Sequence, residues 1–173
     1  MKLVDMLANK KVSKFSAGTR DTGITIAGSD EFRSNMREAL SILRQLPEAY
    51  AYALGFVKRI EETQGGQPRI LNGVFYVPSN SYTANNPLYA ALALAHEAKH
   101  MDKELAQTEP RWREADAVNA QLAVAYGLLG LSSLTDEQKD QLRFYIDFLN
   151  SQLEAMNNPE AEKDLWYHQP VIP

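Results

Sequence analysis

The sequence contains no cysteine among its 173 residues. This absence excludes disulfide bonds, cysteine-ligated zinc, iron–sulfur clusters and thiol catalysis. Histidine is scarce as well, with 3 residues, so any metal site must combine a few imidazoles with carboxylates. The lack of cysteine and the small number of histidines therefore limit the kinds of metal site and catalytic group that the chain can have.

Long hydrophobic runs and clusters of positive charge are also missing. The longest apolar run, Leu88–Ala95, is far shorter than the roughly 18 to 20 residues that cross a bilayer. The 18 Lys and Arg are scattered and the net charge is −4, so no basic surface for nucleic acid is expected. Near the N-terminus, Asp5 interrupts a short apolar stretch that precedes Lys10 and Lys11, the wrong order for a signal peptide. We therefore expect no membrane span, no nucleic-acid partner, and a location that is cytoplasmic or secreted without a cleaved signal peptide.

What the chain does contain is an ordinary globular composition. Its 45% hydrophobic and 23% charged residues allow one hydrophobic core and exclude the disordered and low-complexity classes. We expect an N-terminal arm at 1–20, a single domain at 21–157 and a Pro-containing C-terminal tail at 158–173.

Hydrophobic periodicity and turn residues predict an α+β fold that is mostly helical. About five helices are expected, near residues 30–45, 47–64, 87–107, 110–129 and 136–157. A small sheet is expected to precede the third helix, with a strand at 22–28 and one or two strands at 69–77 that bend at Asn72-Gly73. The polar segment 79–86 is expected to be a loop.

Two of the three histidines fall in His96-Glu97-Ala98-Lys99-His100, a His-Glu-x-x-His motif. Residues four apart lie on one helix face, about 6 Å apart, so two imidazoles can converge on one ion while Glu97 points at the water beside it. Such histidines can also be simply solvated or packed in a core. The glutamate inside the motif and the apolar run before it favour a metal site, and we predict that His96 and His100 bind Zn2+.

A hydrolytic zinc site needs a third protein ligand and one open position. The remaining histidine, His168, is distant in the sequence, which leaves four nearby carboxylates: Glu104, Glu109, Glu114 and Asp116. Glu104 is expected on the same helix as both histidines, and three ligands along one helix cannot occupy three corners of a tetrahedron. Glu109 lies in a turn, where it can cap the next helix. Glu114 and Asp116 point to opposite sides of that helix, so at most one of them is a ligand.

Glu114-Ala-Asp-Ala117, followed by Gln121, resembles the Glu-x-x-Ala-x-x-x-Gln pattern on the glutamate helix of gluzincin-type His-Glu-x-x-His metallopeptidases. The resemblance implies a zincin-like fold in which Glu114 completes the zinc site, with Ala117 and Ala120 allowing the two helices to approach. Asp116 would then either orient a histidine or lie on the surface. Residues 22–131 also resemble, in their layout, small bacterial effector-type metallopeptidases.

The function implied is that of a zinc metallopeptidase, a hydrolase whose substrate is a protein or peptide. Glu97 would act as general base toward the zinc-activated water. Four side chains are candidate donors to the oxyanion: Tyr126, Tyr145, Tyr167 and His168. The strand near 74–77 is expected to offer an edge to an extended peptide. The alternative is a non-catalytic zincin-like module, stabilised by metal and used for binding or regulation, and the intact Glu97 favours the enzyme.

Overall fold

The computed structural model describes residues 23–103 and 109–158, and this part of the chain contains six helices and four strands. In chain order the elements are β1 (Thr25–Ala27), α1 (Asp30–Arg44), α2 (Pro47–Leu54), β2 (Arg59–Thr63), β3 (Arg69–Leu71), β4 (Val74–Pro78), α3 (Tyr82–Asn85), α4 (Pro87–His100), α5 (Pro110–Leu129) and α6 (Asp136–Asn157). The predicted α+β class is confirmed. The expected N-terminal arm and all but the first residue of the expected tail lie outside the described residues.

The four strands form one sheet in the order β1-β2-β4-β3. β2 pairs in parallel with both β1 and β4, and β3 folds back antiparallel on β4. Asn72 and Gly73 make the turn between β3 and β4 with φ angles of 52° and 80°, as a tight hairpin turn requires. β4 therefore has a neighbour on each side, and the prediction that it offers a free edge is wrong.

The prediction that the second helix continues to residue 64 is wrong. The helix ends at Leu54, and Arg59–Thr63 form the strand β2. Val57 and Ile60 are three positions apart, a spacing that also fits a helix. Ile60 is only 1% exposed because it lies in the middle of the sheet, paired with Ile26 of β1 and Phe75 of β4. Cross-strand packing on both sides outweighs the local helical spacing.

The expected loop at 79–86 contains the short helix α3, so the described residues hold six helices rather than five. The side chain of Ser81 caps α3 by accepting a hydrogen bond from the backbone N–H of Ala84. Ser81, Thr83 and Ala84 are buried. The segment before α4 is therefore packed into the fold.

α4 carries the His-Glu-x-x-His motif. The side chain of Asn86 caps it by accepting from the N–H of Tyr89 at 2.9 Å, and Pro87 occupies the first position, where no amide donor is needed. Leu88 and residues 90–95 are buried, so the helix is enclosed until its last turn. It ends at His100 rather than near residue 107.

α5 packs against both α4 and α6. It begins at Pro110 and is followed by Gly130, as the sequence predicts. Thr135 starts α6 with the predicted capping box, in which its hydroxyl accepts from the N–H of Gln138 and its own N–H donates to the Gln138 side chain. Within the two described ranges, every helix falls short of the length and hydrophobicity needed to cross a bilayer.

Candidate metal centre

His96 and His100 lie on one face of the last turns of α4, where the helix emerges from the core. Their side chains are 16% and 30% exposed. The two Nε2 atoms are 3.1 Å apart, and the rings are nearly perpendicular. The four-residue spacing in the sequence therefore places the Nε2 atoms of the two histidines next to each other.

Glu114 reaches the same point from the first turns of α5. Its Oε1 is 3.3 Å from Nε2 of His96, and its Oε2 is 3.2 Å from Nε2 of His100. The side chain of Glu114 is 31% exposed. The structure thus brings together the three residues named as metal ligands from the sequence.

The separations of these donor atoms suit a zinc ion. Tetrahedral zinc with bonds of about 2.0 to 2.1 Å places neighbouring ligand atoms about 3.3 Å apart. The two Nε2 atoms are 3.1 Å apart, and each lies 3.2 to 3.3 Å from a different oxygen of the Glu114 carboxylate. Two imidazoles and one carboxylate are also a donor set that catalytic zinc uses. Among residues 23–103 and 109–158, this is the only group of three His, Cys, Asp or Glu side chains close enough to hold one ion.

The charges of the cluster keep Glu114 ionised. Burial alone would raise its pKa, but hydrogen bonds from His100 and His96 hold the pKa well below its usual range. Burial opposes the protonation of His96, yet the hydrogen bond and charge of Glu114 raise the pKa of that imidazole above its ordinary value. A carboxylate that stays ionised is ready to bind a cation.

This ion pair predicts that the stability of the metal-free protein depends on pH. The raised pKa of His96 gives stabilisation that is complete below the unfolded value of 6.5 and is lost as the pH rises through the folded value. The lowered pKa of Glu114 gives stabilisation that is lost only as the pH falls below its unfolded value of 4.5. In the presence of a chelator, the free energy of unfolding should fall as the pH rises above 6.5 and through the raised pKa of His96. Urea unfolding should show a smaller fall in Glu114→Gln, and an equal fall in both proteins would contradict the pairing.

Glu97, the predicted general base, belongs to the same charge cluster. Burial raises the pKa of its carboxyl group, the charges of His96 and His100 act in the opposite direction, and the charge of Glu114 raises it further. A carboxyl group with a raised pKa is a better proton acceptor, which suits it to take up a proton and pass it on.

Gln121 contacts the centre from α5, a contact that the sequence analysis did not predict. Its side chain is 4% exposed, and its Oε1 lies 3.2 Å from Nδ1 of His96, the ring nitrogen that does not face Glu114. Burial raises the pKa of the Tyr89 hydroxyl group, and Gln121 acts in the opposite direction. One signal was present in the sequence, because Gln121 follows Glu114 by seven residues and two helical turns place both on the same face.

The other carboxylates considered as ligands do not join the group. Asp116 is half-buried on α5 and Glu109 is exposed at its start, and neither belongs to the cluster of three. The side chain of Glu109 makes no capping hydrogen bond. Glu104 lies outside the described residues. Within the described part of the chain, Glu114 is the carboxylate that meets the two histidines.

The candidate oxyanion donors have other surroundings. Tyr145 is 1% exposed, and its hydroxyl group is 2.6 Å from that of Tyr82 in the core, so it does not face an incoming substrate. Tyr126 is 53% exposed, and its hydroxyl oxygen accepts from Asn150 at 3.4 Å. Tyr167 and His168 lie outside the described residues.

Comparison of the chain with models of known protein families, with curated proteins and with solved structures finds no match. A functional conclusion therefore depends on the chemistry and geometry of the centre itself.

Proposed function

We propose that the protein is a zinc-dependent metallopeptidase that hydrolyses peptide bonds in a protein or peptide substrate. The observation that carries this proposal is the convergence of His96, His100 and Glu114: the two Nε2 atoms are 3.1 Å apart, and each is 3.2 to 3.3 Å from one of the two Glu114 carboxylate oxygens. The His-Glu-x-x-His spacing also places Glu97 beside both histidines on α4. Three ligands and a carboxyl group with a raised pKa are the minimum set for metal-assisted hydrolysis.

Each residue has a definite task in this proposal. The imidazoles of His96 and His100 and the carboxylate of Glu114 would hold the ion. A bound zinc ion supplies a Lewis acid that lowers the pKa of water and polarises a carbonyl group. Glu97 accepts the proton of the attacking water and delivers it to the leaving amine. The side chains of His96, His100 and Glu114 are 16% to 31% exposed, so the cluster is accessible to solvent.

The zincin-like fold is part of the same proposal, and the arrangement of the sheet favours a peptide substrate. β3 lies at one edge of the sheet and contacts α4, which carries the motif. Within the described residues, no strand pairs with the outer edge of β3, and Leu71 on this strand is 52% exposed. An extended peptide could add there as a further strand, held by main-chain hydrogen bonds.

Metal analysis and a general protease assay test the proposal together. The purified protein should contain about one zinc per chain, as two imidazoles and one carboxylate require. It should hydrolyse unfolded casein, lose this activity in a chelator and regain it when zinc is added back. The double variant His96→Ala/His100→Ala should lose the metal, while His168→Ala, a matched change of the third histidine, should retain it.

The outcomes separate the two functions that the sequence permits. Full zinc retention in the double variant would refute the metal centre. Stoichiometric zinc without hydrolysis of casein or of a peptide library would instead favour the non-catalytic, metal-stabilised module.

A further inference from the structure

Ile70 is the residue of β3 whose backbone hydrogen-bonding groups face away from the sheet. Asn72 and Gly73 form a two-residue turn, and such a turn is closed by a pair, here Leu71 and Val74, that exchanges both of its hydrogen bonds. Hydrogen-bonded and non-hydrogen-bonded pairs alternate along an antiparallel ladder. Ile70, one position before Leu71, therefore directs its N–H and C=O to the outer edge of β3.

A hydrogen bond on the other side of β4 supports this alternation. The C=O of Gly73 accepts from the N–H groups of Lys58 and Arg59, so Gly73 faces β2. The next residue, Val74, then faces β3. The backbone groups of Ile70 are left to face outward.

Proline limits the hydrogen bonds that this edge offers. Pro68, two positions before Ile70, has no N–H to donate. Within the described residues, no strand pairs with the outer edge of β3. A peptide that adds at this edge is therefore held by few main-chain hydrogen bonds, and side chains must supply most of the preference between sequences.

Two side chains beside Ile70 can supply such a preference. Ile70 is 7% exposed and faces the core, so Arg69 and Leu71 point to the opposite, outer face of the sheet. Leu71 is 52% exposed and lies opposite the apolar Val74. Arg69 is exposed, and its guanidinium group lies 5.3 Å from the centroid of the Tyr76 ring. A positive charge and an apolar side chain thus lie two residues apart at the edge.

The charge of Arg69 is available to a ligand. Its guanidinium group donates to the carbonyl oxygen of Gln67, which uses one of five N–H groups. Glu61 of β2 shares the outer face, opposite Tyr76 on β4, but its carboxylate lies 2.9 Å from the guanidinium group of Arg59. The acidic side chain in this part of the sheet therefore already has a cationic partner of its own.

We propose that Arg69 and Leu71 select substrates that contain an apolar residue followed, two positions later, by an acidic residue. The middle residue pairs with Ile70, and antiparallel addition lets that one residue use both outward-facing groups. In this direction the first residue of the triplet lies beside Leu71 and the third beside Arg69. The inference rests on the proposed function, since it describes the substrate of a peptidase whose motif helix α4 contacts β3.

Labelled peptides that differ only in one central triplet test the proposal. The triplets are Leu-Ala-Glu, the reversed Glu-Ala-Leu, and Leu-Ala-Lys. Fluorescence anisotropy measures their binding to full-length Glu97→Gln protein, and kcat/KM of the native protein measures their hydrolysis. An opposite-charge pair and an apolar pair across strands should favour Leu-Ala-Glu over each of the other two peptides by about 3- to 10-fold in both measurements.

Charge reversal provides the sharper comparison. Arg69→Glu should invert the preference, so that Leu-Ala-Lys is bound and cleaved better than Leu-Ala-Glu. Leu71→Ser should reduce the difference between Leu-Ala-Glu and the reversed peptide. Arg143→Glu, the same change at an exposed arginine of α6, should leave every preference as in the native protein.

The outcomes distinguish this inference from the proposed function. An unchanged preference in Arg69→Glu, or equal binding of the reversed peptide, would overturn the role of the two side chains even if the peptides were hydrolysed. An inverted preference in binding without hydrolysis by the native protein would support the role of Arg69 and refute the peptidase. If Arg69→Glu does not fold, Arg69→Gln should abolish the difference between Leu-Ala-Glu and Leu-Ala-Lys, and a retained difference would overturn the proposal.

Discussion

Replacing Glu97 with glutamine should reduce the turnover of an unfolded protein substrate by several orders of magnitude while zinc stays bound. The amide has nearly the same shape as the carboxyl group, and Glu97 is not among the three side chains that converge on the metal position. The amide of the glutamine cannot accept a proton, however, so the attacking water would lose its general base. Values of kcat/KM and the zinc content of both proteins measure the two effects separately.

Glu154→Gln is a matched control for this experiment. Glu154 is an exposed residue on α6, and the same chemical change there should leave activity and zinc content unchanged. Unchanged hydrolysis in Glu97→Gln would show that another group takes the proton. Loss of zinc in Glu97→Gln would show that this side chain has a role in binding the metal.

Glu114→Ala should weaken zinc binding more than about 100-fold, beyond the loss typical of a residue that only orients a ligand. Among residues 23–103 and 109–158, Glu114 is the one carboxylate with an oxygen within 3.3 Å of each histidine Nε2 atom. Asp116→Ala should have almost no effect, because Gln121 occupies the position beside Nδ1 of His96 that an orienting aspartate would need. Competition with a chelator of known zinc affinity measures both variants on one scale.

Glu109→Ala serves as the control for a carboxylate at the start of α5. Glu109 is exposed and lies outside the cluster, so its removal should leave zinc affinity unchanged. If Asp116→Ala or Glu109→Ala lost the metal while Glu114→Ala retained it, the assignment of Glu114 as the third ligand would be wrong. The resemblance to gluzincin-type metallopeptidases would then lose its main support.

The helices could be predicted where local signals mark their ends. At the start of α4, Asn86 caps a backbone amide and Pro87 has none to pair, and at the start of α6 Thr135 and Gln138 form a capping box. Each signal involves residues no more than four positions apart, so it can be recognised in the sequence. β2 could not be predicted in the same way. The burial of Ile60 depends on strands that lie more than ten residues away on either side, so a local pattern compatible with a helix gave the wrong structure.

In the candidate centre, too, contacts set by local spacing could be predicted and contacts between separate helices could not. His96 and His100 meet because of a spacing within one helix, which the sequence displays directly. Helix geometry showed only that Glu114 and Asp116 cannot both be ligands, and the resemblance selected Glu114. The contact of Gln121 with His96 depends on how closely two helices pack, and it joins residues 25 positions apart. Such a contact leaves only a weak trace in a single sequence, here the seven-residue spacing that places Gln121 and Glu114 on one face of α5.

The proposed ligands come from the end of α4 and the start of α5, so one bound ion would link the two helices. Binding to the folded chain alone adds about 4 kcal/mol of stability when free zinc exceeds the dissociation constant 1,000-fold. For a chain of this size that corresponds to a rise of about 8 to 16 °C in Tm. A cell short of zinc would then hold a protein that unfolds more often and is degraded sooner. Metal supply would thus control how much of this protein exists, in addition to how much of it is active.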